Sequence, residues 1–274
     1  MTLTFFYWPA FDGLINSMLV SDPFGNYSRF VWFKNFIALF TDFLYLKSIG
    51  ITLMFSLATA ITSMSLGLLI ATLANRALKG KAIIRTMLIW PYAVAPAISG
   101  ILWLFLLHPS YGVVALAIKK FLGVDWNPVL HGGDAMVMVI MASAWKEISY
   151  NFVFFIAGMQ AIPKSLIEAA AMDGASPFRR FWNITLPLLS PTLFFLMVMN
   201  IIYSFFETFG VIHTMTQGGP GGSTNILVYK VYQDGFIGLN LGSSSAQSVV
   251  LMSIIIVVTI LQFKYVEKKV QYTG

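Results

Sequence analysis

The chain has 274 residues, of which 58% are hydrophobic and only 10% charged, and its mean hydropathy is +0.78. Soluble domains carry charge on about a quarter of their residues, so these values exclude one and mark an integral membrane protein. The formal charge of +6 does not point to nucleic acid, because Lys and Arg are scattered through short connections instead of forming a stripe, and the lack of cysteine excludes a disulfide framework or thiol nucleophile.

Six apolar runs are predicted to be membrane helices. The first, residues 3–20, contains Pro9, Asp12 and Asn16 but lacks the basic leader and small-residue cleavage pattern of a signal peptide. About 18 residues at 1.5 Å each just cross a hydrocarbon core of roughly 30 Å. A polar connection over 21–47 leads to the clearest helix, 49–74, which is free of charge. The third run, 86–107, holds Pro91 and Pro96 in its interior, where each removes a ladder hydrogen bond. A kink is expected there, with the freed carbonyls met by a neighbouring helix or cavity water. A polar segment with an amphipathic piece over 113–122 precedes the fourth run, 134–160. The fifth and sixth, 188–212 and 244–263, flank a Gly-rich loop over 213–243.

Six crossings put both chain ends on one side. The connection from Asn75 to Arg85, the polar stretch 162–187 and the tail with Lys264, Lys268 and Lys269 together carry ten Lys and Arg residues, against six in the longer loops opposite. The positive-inside rule therefore assigns the stretch 162–187 and the C-terminus to the cytoplasm.

Lys146 and Glu147 fall about midway along the fourth helix, a depth at which charge is expensive. Such residues face a wet pathway, or they are neutralised by each other or by a partner subunit, and the sequence leaves both readings open. Tyr150 and Asn151 stand one turn on from each charge. For an anionic substrate, Lys146 is the side chain suited to receive it. Glu207, with Asn200 and Tyr203 on nearby turns, occupies the outer part of the fifth helix and is read as an interhelix hydrogen-bond partner or a substrate contact. His108, His131 and His213 lie at outer helix ends without metal-ligand spacing and are read as loop residues.

The polar stretch has its own local grammar. Pro163 suits a first helical turn, Gly174 offers a residue able to leave the helix at positive φ, and Ser176-Pro177 provides an N-cap and first residue for a second helix. Two short helices bent about Gly174-Ala175 are predicted, shallow along Ala169, Ala170 and Ala171. On these grounds alone, an amphipathic helix at the membrane interface is the simplest account.

The pattern Glu168-Ala169-Ala170, three residues, Gly174, nine residues, Ile184, one residue, Leu186-Pro187 resembles the "EAA" loop of permease subunits of binding-protein-dependent ABC importers. The outer loop segment Thr216-Gln-Gly218-Gly219-Pro220 followed by Thr224 resembles the carbohydrate-type, maltose-permease-like branch of that family, where it faces the binding protein. Further stretches, Asp22-Pro23-Phe24-Gly25, Pro91 to Ala97, Trp145 to Phe152 and Ser245 to Met252, resemble branch members that import a phosphorylated solute. Family members usually carry a basic cytoplasmic tail and a longer first helix, which the start of this sequence does not show.

The resemblance implies an all-α, six-helix type I permease fold whose elbow forms coupling helices in a cleft of the ATP-binding subunit. It implies assembly with a homologous second permease, two ATP-binding subunits that hold ATP and Mg, and a periplasmic or lipid-anchored binding protein, in a bacterial inner membrane. The chain itself has no Gly-x-x-x-x-Gly-Lys-Ser/Thr loop and is expected to carry no cofactor. Importing a neutral sugar is the alternative within the family. A membrane-embedded enzyme is disfavoured because no histidine matches Glu147 or Glu207 in depth, and a channel or ion-coupled carrier because charges within the runs are few.

Overall fold

A computed structural model describes residues 1–22, 27–76 and 81–267. Lys79, Lys268 and Lys269 of the orientation argument, and Pro23, Phe24 and Gly25 of the resemblance, lie outside the described residues. The architecture is helical, with one small hairpin. A π-wound turn, Leu3–Tyr7, runs into α1 (Trp8–Ser17), and β1 (Leu19–Ser21) pairs antiparallel with β2 (Ser28–Phe30). Then come α2 (Lys34–Thr41), α3 (Phe43–Arg76), α4 (Lys81–Ile89), a 3-10 turn at Trp90–Ala93, and α5 (Pro96–Leu107). The outer piece α6 (Val113–Leu122) precedes α7 (Gly132–Ala161).

The elbow comprises α8 (Lys164–Met172), α9 (Pro177–Arg180), a π-wound turn at Phe181–Thr185 and α10 (Leu186–Leu188). The remaining helices are α11 (Ser190–Phe206), α12 (Phe209–Met215), α13 (Leu227–Tyr232) and α14 (Leu241–Tyr265), with a π-wound turn at Gln233–Ile237.

Among the described residues, two helices, Phe43–Asn75 and Leu241–Tyr265, are each long and apolar enough to cross a bilayer. Three bent pairs reach that standard jointly. They are Arg85–Ala93 with Pro96–Leu107, at 106°, Gly132–Ala161 with Lys164–Met172, at 69°, and Pro177–Leu188 with Ser190–Phe206, at 67°. Large apolar side chains such as Leu57, Ile61, Leu69, Ile256 and Ile260 stand exposed on the outside, as in a protein solvated by lipid.

Several expected boundaries move, each for a local reason. The first helix ends at Ser17 instead of residue 20, because Asn35 Nδ2 donates to the carbonyls of Ser17 and Leu19 at 2.8 Å each and holds the chain in the hairpin. The fifth run is interrupted, not continuous from 188 to 212. Ser204 and Thr208 hydroxyls donate back to the carbonyls of Asn200 and Ser204 at 2.8 and 2.9 Å, a pattern that bends helices, and the chain breaks at Glu207-Thr208. The loop over 213–243, expected to be irregular, contains the end of α12, α13 and a π-wound turn.

The core has three apolar clusters. One joins Phe55, Leu107, Val139 and Ile212, a second joins Tyr45, Phe205, Leu227 and Leu251, and a third joins Ala71, Phe152, Phe155 and Leu189 near the elbow. The long helices α3 and α7 share the first and third. At their crossing Gly67 lets the backbones approach so closely that a Cβ there would sit 2.7 Å from Asn151 Cβ. Gly50, on the same helix, faces open space. Gly67→Ala is predicted to destabilise the assembled protein by about 1–3 kcal/mol, the usual cost of overpacking, while Gly50→Ala is predicted not to. Thermal unfolding in detergent distinguishes the pair, and equal midpoints would refute the close crossing.

Candidate functional site

The site begins as a break in the backbone. Pro96 can occupy the first turn of α5, where no donor is needed, but it forces Ala95 into an extended conformation, φ −59° and ψ 143°. Val94 is extended as well, so its carbonyl has left the helical ladder. Lys146 on α7 donates from Nζ to that carbonyl at 2.5 Å. The kink predicted from Pro91 and Pro96 is present, and the residue that meets the freed carbonyl is the buried lysine. Beyond the break α5 lies tight on α12. Gly210 leaves room for the backbone of Ala97, and Thr214 Oγ1 donates to Ala97 O at 3.3 Å.

A cavity of about 430 Å³ opens at this break. Its walls are the segment from Tyr92 to Pro96, then Lys146, Glu147 and Tyr150 from α7, and Tyr203 and Glu207 from α11 and its end. The rings of Tyr92 and Tyr150 stack with centroids 5.6 Å apart. Lys146 and Glu147 are 6% and 4% exposed, whereas Glu207 stands exposed at the rim. The three charges are within electrostatic reach of one another, yet none forms an ion pair.

Of the residues singled out in the sequence, Lys146, Glu147, Tyr150 and Glu207 therefore share one cavity. Asn151 and Asn200 do not. They are fully buried and face each other, Asn200 Nδ2 donating to Asn151 Oδ1 at 2.7 Å and Asn151 Nδ2 to Asn200 Oδ1 at 3.1 Å. Ser63 Oγ on α3 adds a bond to Asn200 Oδ1 at 2.7 Å. This pins α3, α7 and α11 together, so the two amides are packing residues and not pathway lining. Tyr92 and Tyr203 line the cavity without having been marked as candidates. The proline pair flanking Tyr92 was the available signal for the first, and the turn spacing to Glu207 for the second.

The elbow follows its local chemistry closely. Gly174 adopts φ +79°, Ala175 N–H closes α8 by bonding Ala170 O at 3.0 Å, and Ser176 Oγ accepts from Arg179 N–H at 3.3 Å. Pro163 sits one residue before α8 instead of within its first turn. The Glu-Ala-Ala pattern divides by exposure. Glu168, Ala169 and Gly174 are exposed beside Met172, Phe178 and Trp182, while Ala170 is half-buried. Ile184, Leu186 and Pro187 are half-buried in the turns that lead to α11, so they root the elbow while the first part presents a surface.

The outer loop is not an open tether. Thr216 and Thr224 hydroxyls bond each other at 2.7 Å, and Thr224 Oγ1 donates to Gly219 O at 2.8 Å. Gly218, Gly221 and Gly222 all have positive φ, and Thr224 and Gly218 are buried. The glycines thus permit a tight closure, which leaves Gly221 exposed and Pro220 half-buried. Thr52 Oγ1 then accepts from Leu227 N–H at 2.9 Å and moors α13 to α3. Among the histidines, His108 stacks on Tyr111 and His131 contacts Asp134. His213, read as a loop residue, lies in α12 among Phe209, Tyr229 and Tyr232.

The family profile described as "Binding-protein-dependent transport system inner membrane component" matches residues 24–272. The sn-glycerol-3-phosphate transport system permease protein UgpA of Rhizobium meliloti (strain 1021) is 55% identical over 272 residues, covering 99% of this chain and 92% of that protein. The protein of the same name from Brucella abortus biovar 1 (strain 9-941) is 54% identical over 273 residues, covering 100% and 93%. Among solved structures, a bacterial ABC transporter involved in the import of the acidic polysaccharide alginate superimposes with a TM-score of 0.82 at 21% identity, covering 97% of this chain and 91% of that one. The MetNI methionine ABC transporter, captured in inward-facing conformations, gives 0.59 at 16% identity, covering 83% and 97%.

Lys146→Met would strand the Val94 carbonyl in an apolar setting. It is predicted to lower stability by about 1–3 kcal/mol, with Lys146→Arg retaining most of it. Thermal unfolding of the purified protein checks this, and identical midpoints for Met and Arg would remove the lysine from the break.

Proposed function

This chain belongs to the family of binding-protein-dependent transport system inner membrane components, and from that premise we propose that it is the permease of an ATP-driven importer of sn-glycerol-3-phosphate and glycerophosphodiesters. The observation that carries the substrate is the near-full-length identity, above one half, to relatives bearing that name.

In this reading the chain crosses the bacterial inner membrane six times, with the elbow and C-terminus in the cytoplasm. The excess of Lys and Arg on that side supports the orientation. The chain works beside a homologous second permease. Two ATP-binding subunits hold ATP and Mg, and a periplasmic or lipid-anchored binding protein delivers the cargo to the outer face, where the closed loop from Thr216 to Thr224 is presented. ATP closes the ATPase pair, and Glu168, Ala169, Ala170 and Gly174 receive that motion. Ile184, Leu186 and Pro187 pass it into α11, while α7 carries it from the 69° bend to the cavity. The cavity at the helix break is then opened to one side of the membrane at a time, a two-state element biased by ligands at distant sites.

A neutral sugar is the second reading. It is favoured by the cavity's charge, two carboxylates against one lysine already bonded to Val94. ATPase activity of the reconstituted complex with its own binding protein separates the two. Stimulation by sn-glycerol-3-phosphate and not by a neutral disaccharide is expected, and the reverse would move the chain to sugar import.

The elbow has its own test. Gly174→Val forces a β-branched residue to φ +79°, and Glu168→Lys reverses a charge on the exposed face. Both are predicted to reduce substrate-stimulated ATPase and uptake at least tenfold while membrane insertion is kept. Normal uptake by both would refute docking through this surface.

A further inference from the structure

Glu147 is a buried acceptor to which no described residue donates a hydrogen bond. It is 4% exposed, and among the described residues no hydrogen bond or ion pair reaches its carboxylate. Buried carboxylates are costly without donors, so the group calls for a partner from outside the chain. The cavity it lines is where that partner enters. Its sequence neighbour Lys146 is within electrostatic reach but forms no hydrogen bond with it, donating instead to the Val94 carbonyl at the helix break. The second carboxylate, Glu207, lines the same cavity, and so does Tyr203, whose buried hydroxyl has no hydrogen-bond partner among the described residues.

The wall is therefore rich in acceptors, and its single cation has one of its three N–H groups committed to the Val94 carbonyl. A phosphate placed against it would face two carboxylates, set against the two remaining N–H groups of one lysine and the phenols of Tyr92, Tyr150 and Tyr203. The hydroxyl groups of a polyol supply what Glu147 lacks, and a hydroxyl bonded to a carboxylate is among the stronger neutral-to-charged hydrogen bonds. We infer that this chain forms the hydroxyl-recognising wall of the transport site, with Glu147 accepting from one substrate hydroxyl and Glu207 from another, and that the phosphate lies away from this chain, toward the second permease. The inference rests on the sn-glycerol-3-phosphate reading and deepens it, by dividing one substrate between two subunits. It also gives the cavity's excess of carboxyl groups a use in an importer of an anion, since they orient the solute by accepting from its hydroxyl end.

The test is a cycle of substrate deletions against residue changes. Uptake by proteoliposomes containing the full complex is measured for sn-glycerol-3-phosphate, 2-hydroxypropyl phosphate and 3-hydroxypropyl phosphate, each analogue lacking one hydroxyl. The binding protein is saturated with each compound, so that its own preference drops out. In the unmodified complex, loss of the hydroxyl that meets Glu147 is expected to slow uptake roughly tenfold or more. In Glu147→Gln that penalty is expected to fall to about twofold or less, because the parent substrate loses the same bond. Glu207→Gln, at the exposed rim, is expected to shrink the penalty for the other hydroxyl, and it carries the test alone if Glu147→Gln fails to assemble.

A Glu147→Gln complex slowed by the same factor for all three compounds would overturn the inference and assign Glu147 to a cation of a neighbouring subunit. An unmodified complex that transports the parent substrate but shows no hydroxyl penalty would overturn it too. An unmodified complex silent to sn-glycerol-3-phosphate would bring down the substrate reading as well, and is told apart by that silence.

Discussion

The bond from Lys146 to the carbonyl of Val94 is the contact on which the rest of the structure turns. A proline pair in an apolar helix leaves a carbonyl that neither lipid nor the helix can satisfy, so some other element must come to it. Here that element is α7, and the group that makes the contact is a charge held at 6% exposure. The lysine thereby fixes where α7 meets the break, and this in turn decides that Glu147 and Tyr150 face the space the break opens. A cavity and its walls follow from one unsatisfied backbone group.

Around this point the molecule divides into stiff and yielding parts. The Gly67 crossing and the paired amides of Asn151 and Asn200 bind α3, α7 and α11 through fully buried contacts. The 3-10 turn at Trp90–Ala93, the Glu207-Thr208 break and the 69° bend below α7 are where the backbone lacks continuous helix. Helix α7 leads from the elbow into this rigid three-helix body, and the broken segment stands beside the cavity. Because Lys146 joins the rigid body to that segment, the same bond that defines the cavity also ties it to the elbow.

What was legible in the sequence was local chemistry. Gly174, Ser176 and Pro177 have short-range consequences, and the elbow has the turn and cap they specify. Pro91 and Pro96 dictated the third helix's kink for the same reason. What the sequence did not disclose was pairing over distance. Asn151 and Asn200 are 49 residues apart, and nothing near either one signals that they satisfy each other instead of facing a pathway. The early end of the first helix depends on Asn35, 18 residues beyond Ser17. The outer glycines are a different case, because their conformational freedom is used at positive φ to close the loop. Of the cavity, the charged residues were visible because charge in an apolar run stands out, whereas Tyr92 and Tyr203 could be reached only through their neighbours, the proline pair and Glu207.

The amide pair has a further meaning for how such a chain can change over time. Each carboxamide both donates a hydrogen bond to the other and accepts one from it, and Ser63 uses the spare lone pair of Asn200 Oδ1. Any single replacement leaves at least one of these groups facing a mismatched neighbour in apolar surroundings. The intermediate on any route from this pair to another is therefore handicapped, and drift at either position is blocked until both change together. A contact that does not line the cavity can thus be among the slowest to diverge.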